Sequence, residues 1–207
     1  MEVRNPPVPS NAAGDPAPAA VDSGAAAAQP PMTLAARVRA VLPLLALAAL
    51  ILIADQLTKL WIVAAIGRAA PVHEIDIIPG WFVFQYVENT GAAFGMFTNG
   101  SWILAFIAVA VVVGIVVMAP RMQQEATAGL PRWQIWLSLG LVLGGAVGNL
   151  ADRLTRGYVV DFVLVPKAQI TLGNTLYHFP NFNVADSAIT VGIILLLIGL
   201  LFAGERK

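Results

Sequence analysis

The chain has 207 residues, of which 58% are hydrophobic and only 12% charged. A soluble domain carries roughly a quarter charged residues, so this composition is that of a membrane protein. Twelve Lys and Arg balance 12 Asp and Glu, which leaves no basic surplus for nucleic acid, and the absence of cysteine excludes disulfides, thiol catalysis and cysteine-bound metals.

Residues 1–39 open with a Pro- and Ala-rich stretch without apolar period. They read as a disordered cytoplasmic tail, because they bury too little surface to offset chain entropy. No apolar core follows directly on a basic start, so a cleavable leader is not expected here. The remainder, 40–204, reads as one domain with four stretches long enough to cross a bilayer, at about 41–66, 101–119, 133–151 and 184–203. Pro43 is expected in the first turn of the first span, and Pro120 is expected to stop the second.

Orientation follows from the basic residues. Arg37, Arg39, Arg121, Arg132, Arg206 and Lys207 flank one side, which places both termini in the cytoplasm. The loops 67–100 and 152–183 then face outward. In the first of them, W-F-V-F-Q-Y-V alternates like a strand, with Pro79-Gly80 turning before it and Asn89-Thr90-Gly91 breaking it. A small sheet at the membrane surface is the expectation. Phe94, Met96 and Phe97 either dip into lipid or pack on the bundle. The fold class expected is therefore an all-α membrane protein, a four-transmembrane-helix bundle with a small β-containing extracytoplasmic subdomain.

Polar residues gather near the outer ends of the spans. Asp55 and Lys59 stand at i and i+4 and can pair on one helix face; they form either an internal ion pair or a support for a partner across the bundle. Gly140, Gly144 and Gly148 make a small-residue stripe on which another helix can lie close. Continuing that spacing puts Asp152 at the bundle mouth, beside Asn149 and Arg153. Asp152 is expected to fix Arg153 and the Asn149 platform rather than handle a proton.

Asp161 lies among Tyr158-Val159-Val160 and Phe162-Val163, where desolvation raises a carboxyl pKa. Asp186 lies in the first turn of the fourth helix, with Asn183 as its N-cap, where the helix dipole favours the ionised form. Ordinary helix stabilisation explains Asp186 alone. Together, one carboxyl pushed toward protonation and one held ionised make the division an acid–base pair needs. His73 and His178 sit in different loops without a metal or nucleophile motif, so no metal and no cofactor is expected.

Five stretches in order resemble a known family: D-Q-L-T-K at 55–59, E-N-T-G-A-A-F at 88–94, G-G-A-V-G-N-L-A-D-R at 144–153, G-Y-V-V-D-F at 157–162 and F-N-V-A-D-S-A at 182–188. With the four spans, the chain resembles the bacterial lipoprotein signal peptidases over about residues 40–203. The resemblance implies an intramembrane aspartyl endopeptidase of the bacterial inner membrane. It would cut diacylglyceryl-modified prolipoproteins just before the lipidated cysteine, as a monomer in contact with membrane lipid, with its site at the outer face. It implies Asp161 and Asp186 as the catalytic pair. Asn89, Gly91, Asn149, Arg153 and Asn183 then match substrate-holding or carboxylate-orienting positions, with Asp55, Lys59 and Asp152 as support. The stretch between Asp161 and Asp186 is longer than usual, and the tail is extra. A proton-coupled transporter is the first rival, against which stands the gathering of polar residues at one membrane face. A purely structural assembly factor is the second, and it has no use for two carboxylates in apolar settings.

Overall fold

The computed structural model describes residues 33–91, 101–124, 130–172 and 175–203. Four helices carry the architecture: α1 (Leu34–Ile66), α2 (Ser101–Gln124), α3 (Arg132–Arg156) and α4 (Val184–Ala203). Each contains a stretch long and apolar enough to cross a membrane: Val41–Ile66, Ser101–Ala119, Arg132–Arg156 and Val184–Phe202. Among the described residues there are also five short strands: β1 (Glu74–Ile78), β2 (Phe82–Asn89), β3 (Val159–Leu164), β4 (Gln169–Leu172) and β5 (Thr175–His178). This is the four-span, β-decorated membrane fold expected from the sequence. Phe94, Met96 and Phe97, the tail to residue 32 and residues 204–207 lie outside the described residues.

Three boundaries differ from the expectation. α1 begins at Leu34, so Pro43 lies inside the helix rather than in its first turn. α2 runs through Pro120 to Gln124 rather than stopping there. Pro43 lies within the apolar part of α1, where breaking the helix would strand backbone polar groups away from water. By contrast, α2 keeps its expected membrane span, Ser101–Ala119, and continues past Pro120 as helix beyond it. α3 continues past 151 to Arg156, so Asp152 and Arg153 belong to its last turns and not to an outer loop. What ends α3 is Gly157, in the left-handed conformation at φ 81°, with its N–H bonded to the carbonyl of Arg153.

α3 is the central helix. Of its most apolar window 56% is buried, against 17–22% for the other three spans. Its glycines explain why. A side chain at Gly144 would stand 2.7 Å from the carbonyl of Ala48, and one at Gly148 would stand 2.6 Å from Asp55. The face carrying Gly140, Gly144 and Gly148 thus takes α1. Gly145, one residue round the helix, meets the carbonyl of Ala185 and so takes α4. Leu44, Ala48, Ile135, Leu139 and Leu143 fill the α1–α3 seam around the stripe. The large exposed side chains of α1, α2 and α4, such as Leu50, Phe106 and Leu201, form the apolar exterior that a bilayer requires.

The strands make two small sheets. β1, β2 and β3 pair antiparallel in that order, and β4 pairs with β5. Pro79-Gly80 turns β1 into β2, Gly80 taking φ 72° and Trp81 N–H bonding the carbonyl of Ile78 at 2.9 Å. β3 is buried almost throughout, and Val160 and Phe162 pack against Ile62 and Ile66 of α1. The segment before α4 lies along β3, bridged through Phe182 and Val163.

Candidate active site

β3 determines where Asp161 points. Successive side chains of a strand face opposite ways, so with Val160 and Phe162 turned to α1, Asp161 is turned to the other face. There it is 2% exposed. Val87 of β2 is its direct cross-strand neighbour, which makes Asn89 the diagonal neighbour on the same face. Asn89 donates from Nδ2 to Asp161 Oδ2 at 2.8 Å. Its own Oδ1 accepts the Gly91 N–H at 3.0 Å, a local turn that holds the amide in place.

Asp186 reaches the same spot from the start of α4. Asn183 caps this helix, its Oδ1 accepting the Asp186 N–H at 2.9 Å, while Asp186 Oδ2 accepts the Asn183 N–H at 3.2 Å. The two residues satisfy orphan donors reciprocally, as in a capping box. Asn183 Nδ2 then donates to Asp161 Oδ1 at 2.7 Å. One asparagine therefore ties both carboxylates, from two different elements, to a single point. Asn149 of α3 adds a donor from below, Nδ2 to Asp186 Oδ1 at 2.7 Å.

Beneath this lies a buried ionic group. Lys59 is fully buried, with Nζ 2.8 Å from Asp55, 3.0 Å from Asp152 and 2.9 Å from Asn149 Oδ1. Asp152 is also paired with Arg156, one turn on, and accepts the Val160 N–H at 3.1 Å. Asp55 Oδ1 accepts the Ala185 N–H of α4 at 3.0 Å. Two carboxylates and two cations give no net charge, which is what makes such burial tolerable. The expected link from Asp152 to Arg153 is not made. Neighbours in a helix point about 100° apart, whereas i and i+4 share a face, so Arg156 is the partner. Arg153 instead donates to the backbone carbonyl of Asn149 at 3.3 Å.

Both carboxylates open on a cavity of about 600 Å³, whose wall also includes Asn89, Gly91 and Arg153. The Arg153 Nε is buried and has no hydrogen-bond partner among the described residues. Leu104 of α2 and Val191 of α4 line the same cavity on its apolar side. Burial, and then the neighbouring Asp186, push the Asp161 carboxyl up to about 7, against the pull of Asn89 and Asn183. Such a group exchanges a proton near neutral pH. Among the described residues no three His, Asp or Glu side chains are grouped to hold a metal.

Several further contributors were given no role from the sequence, although Gln56, Glu88 and Tyr158 lie within the quoted motifs. Gln56 bridges Asp55 at 3.1 Å and Asp152 at 3.3 Å. Tyr86 donates to Glu88 at 2.7 Å and meets the Tyr158 hydroxyl at 3.2 Å, while Arg68 pairs with Glu88. Burial, then Tyr158 and Glu88, push the Tyr86 hydroxyl far above its ordinary value, so it stays a donor. This cluster joins the end of α1 to β2 directly beside Asn89.

Comparison with known proteins matches this geometry to a family. The profile of the signal peptidase (SPase) II family covers residues 47–202. A lipoprotein signal peptidase of Symbiobacterium thermophilum is 47% identical over 161 residues, 78% of this chain and 95% of that one. Another, of Pseudomonas putida, is 42% identical over 156 residues, 72% and 81% of the respective chains. A bacterial membrane enzyme determined by the in meso method at 2.3 Å resolution superposes with a TM-score of 0.63 at 28% identity, over 79% of this chain and 91% of that one. With four spans, one buried and one partly buried carboxylate at a shared cavity, and relatives this similar over most of its length, the chain belongs to the signal peptidase II family, the aspartyl membrane peptidases.

Proposed function

We propose that this chain removes the signal peptide from diacylglyceryl-modified prolipoproteins, cutting before the lipidated cysteine, with Asp161 and Asp186 as the catalytic pair. The observation that carries the assignment is the hold of Asn183 on both carboxylates. Asp186, bonded by Asn149 and the Asn183 N–H, takes a proton from water. The hydroxyl oxygen adds to the scissile carbonyl carbon. Asp161, protonated up to about pH 7, donates a hydrogen bond to the carbonyl oxygen. When the C–N bond breaks, the pair returns a proton to the leaving amine, giving a signal-peptide carboxylate and a mature lipoprotein with a free amino terminus.

Arg153 holds the substrate backbone, a role supported by its position in the cavity wall and by an Nε that has no partner among the described residues. Asn89, Gly91, Asn149 and Asn183 orient the carboxylates, and Asp55, Lys59 and Asp152 support them from below. Residues 40–204 form the peptidase unit and 1–39 an amino-terminal extension whose last residues, from Leu34, already belong to α1. The protein works as a monomer in the inner membrane, in contact with lipid, with both termini cytoplasmic and the site at the outer face. The flanking arginines support this orientation.

The test is cleavage by the purified protein of a diacylglyceryl-modified signal-bearing peptide and of its unmodified twin. Release of the signal peptide from the lipidated form alone is expected. Equal cleavage of both, or of neither, would remove the assignment.

A further inference from the structure

The β4–β5 hairpin delivers one side chain to the cavity that no motif residue accounts for. Phe179 directly follows β5, and its N–H bonds the carbonyl of Ala168 at 2.7 Å, closing the base of the hairpin. Its ring meets Phe182 edge-on, with centroids 5.8 Å apart. Phe182 is itself fastened to β3: its N–H bonds Val163 at 3.1 Å, and its carbonyl accepts from Phe162 at 3.0 Å and Val163 at 2.8 Å. Phe179 is thus held by its backbone on one side and by a fixed ring on the other. Half its surface nevertheless remains exposed, and it lines the cavity that contains Asp161 and Asp186. A rigid aromatic left uncovered in a binding cavity offers a large contact area at little entropic cost.

Its position decides which part of a substrate it meets. This step rests on the peptidase reading above. Along α4, Val191 lies deeper in the span than Asp186, and it lines the cavity with Leu104 of α2. Acyl chains must stay in apolar surroundings, and this is the span side of the cavity. Phe179 precedes α4 and belongs to the strand side of Asp186. We propose that Phe179 is a specificity-determining residue whose ring packs on an apolar side chain of the substrate peptide close to the cleaved bond, and not on the acyl chains.

The experiment compares diacylglyceryl-modified peptides that all keep the lipidated cysteine and in which each neighbouring residue near the cleaved bond is in turn Leu or Ala, and a second set with shortened acyl chains. At one position, wild type is expected to prefer Leu, and Phe179→Ala should lower that kcat/KM preference about tenfold, the discrimination an apolar pocket gives for a few carbons. Phe179→Leu should restore most of it. Leu176, similarly exposed on β5 but outside the cavity wall, serves as control, and Leu176→Ala should keep the wild-type preference. An unchanged preference at every position in Phe179→Ala, with wild type active, overturns the proposal alone. So does a changed dependence on acyl length with the side-chain preference intact. Should Phe179→Ala fail to fold, Phe179→Ser is read in its place, and an unchanged preference at every position there counts equally against the proposal. A wild type that cuts none of the peptides defeats the peptidase reading, and this proposal with it.

Discussion

Asp186 accepts the backbone N–H of Asn183 at 3.2 Å and gives its own N–H to the Asn183 side chain at 2.9 Å. The acid that begins α4 is thus also the acid that faces the cavity. Asparagine at 186 would keep an acceptor for that N–H, so Asp186→Asn should leave the helix start intact. Asp161→Asn likewise keeps a side-chain oxygen for one of its two asparagine donors. Both variants are expected to insert and melt within a few degrees of wild type, while cleavage falls at least a thousandfold. Near-wild-type turnover by either one excludes that residue from the chemistry.

The pH dependence has a defined sign. Asp161 ionises at about 7 rather than at the ordinary 3.8, raised by burial and by Asp186. If its protonated form works, kcat/KM should hold below neutrality and fall as pH rises through about 7, an apparent value that belongs to the pair. Stability follows the same direction. A raised carboxyl contributes fully below 3.8 and loses that contribution as pH rises through about 7. A rate that keeps climbing across this range would contradict the assignment of Asp161 as the acid.

Lys59 should matter more to stability than either acid it serves. Lys59→Met leaves Asp55 and Asp152 facing each other without their shared cation, with Arg156 the remaining partner of Asp152. Breaking a buried pair costs about 3–5 kcal/mol. Asp152→Asn leaves Lys59 still paired with Asp55, so it should cost less and retain measurable cleavage at saturating substrate. Thermal melts in detergent give the ranking, and a Lys59→Met protein as stable as wild type would refute it.

Gly145 tests the seam between α3 and α4. A methyl there would collide with the carbonyl of Ala185, the residue before Asp186. Gly145→Ala is expected to destabilise by about 1–3 kcal/mol, as overpacking generally does, and to cut turnover by displacing Asp186. Gly114 has nothing within 4 Å of its would-be Cβ, so Gly114→Ala should be silent in both assays.

Orientation can be read with reporters. A fusion after Gln124, at the end of α2, should remain cytoplasmic, and one at residue 174 should be exported. The reverse pattern would put the carboxylates on the cytoplasmic face and overturn the proposed orientation.

What was legible in the sequence is what depends on neighbours along the chain. Four apolar runs mark four spans, and the alternation at 81–87 marks β2. Asn183 as the cap of α4 follows from its place three residues before Asp186. The end of α3 was misread because Asp152 and Arg153 look like loop residues, yet their polarity faces a shared interior and Gly157 is the true stop. Adjacency suggested Arg153 as the partner of Asp152, whereas helix geometry selects Arg156 and tertiary packing selects Lys59. The contact of Phe179 with the cavity was out of reach, since it depends on a hairpin whose pairing no local pattern announces.

The bond from Asp55 to the Ala185 N–H joins residues 130 positions apart. α1 enters the bilayer first, carrying a lysine that needs α3 and a carboxylate that needs α4. Until α4 arrives, Asp55 lacks this acceptor role, Asn149 lacks Asp186, and the cavity has only one of its two acids. The proposed catalytic pair is therefore a product of the packed bundle: without α4 in place, neither the second acid nor its hold on Asn149 and Asp55 exists.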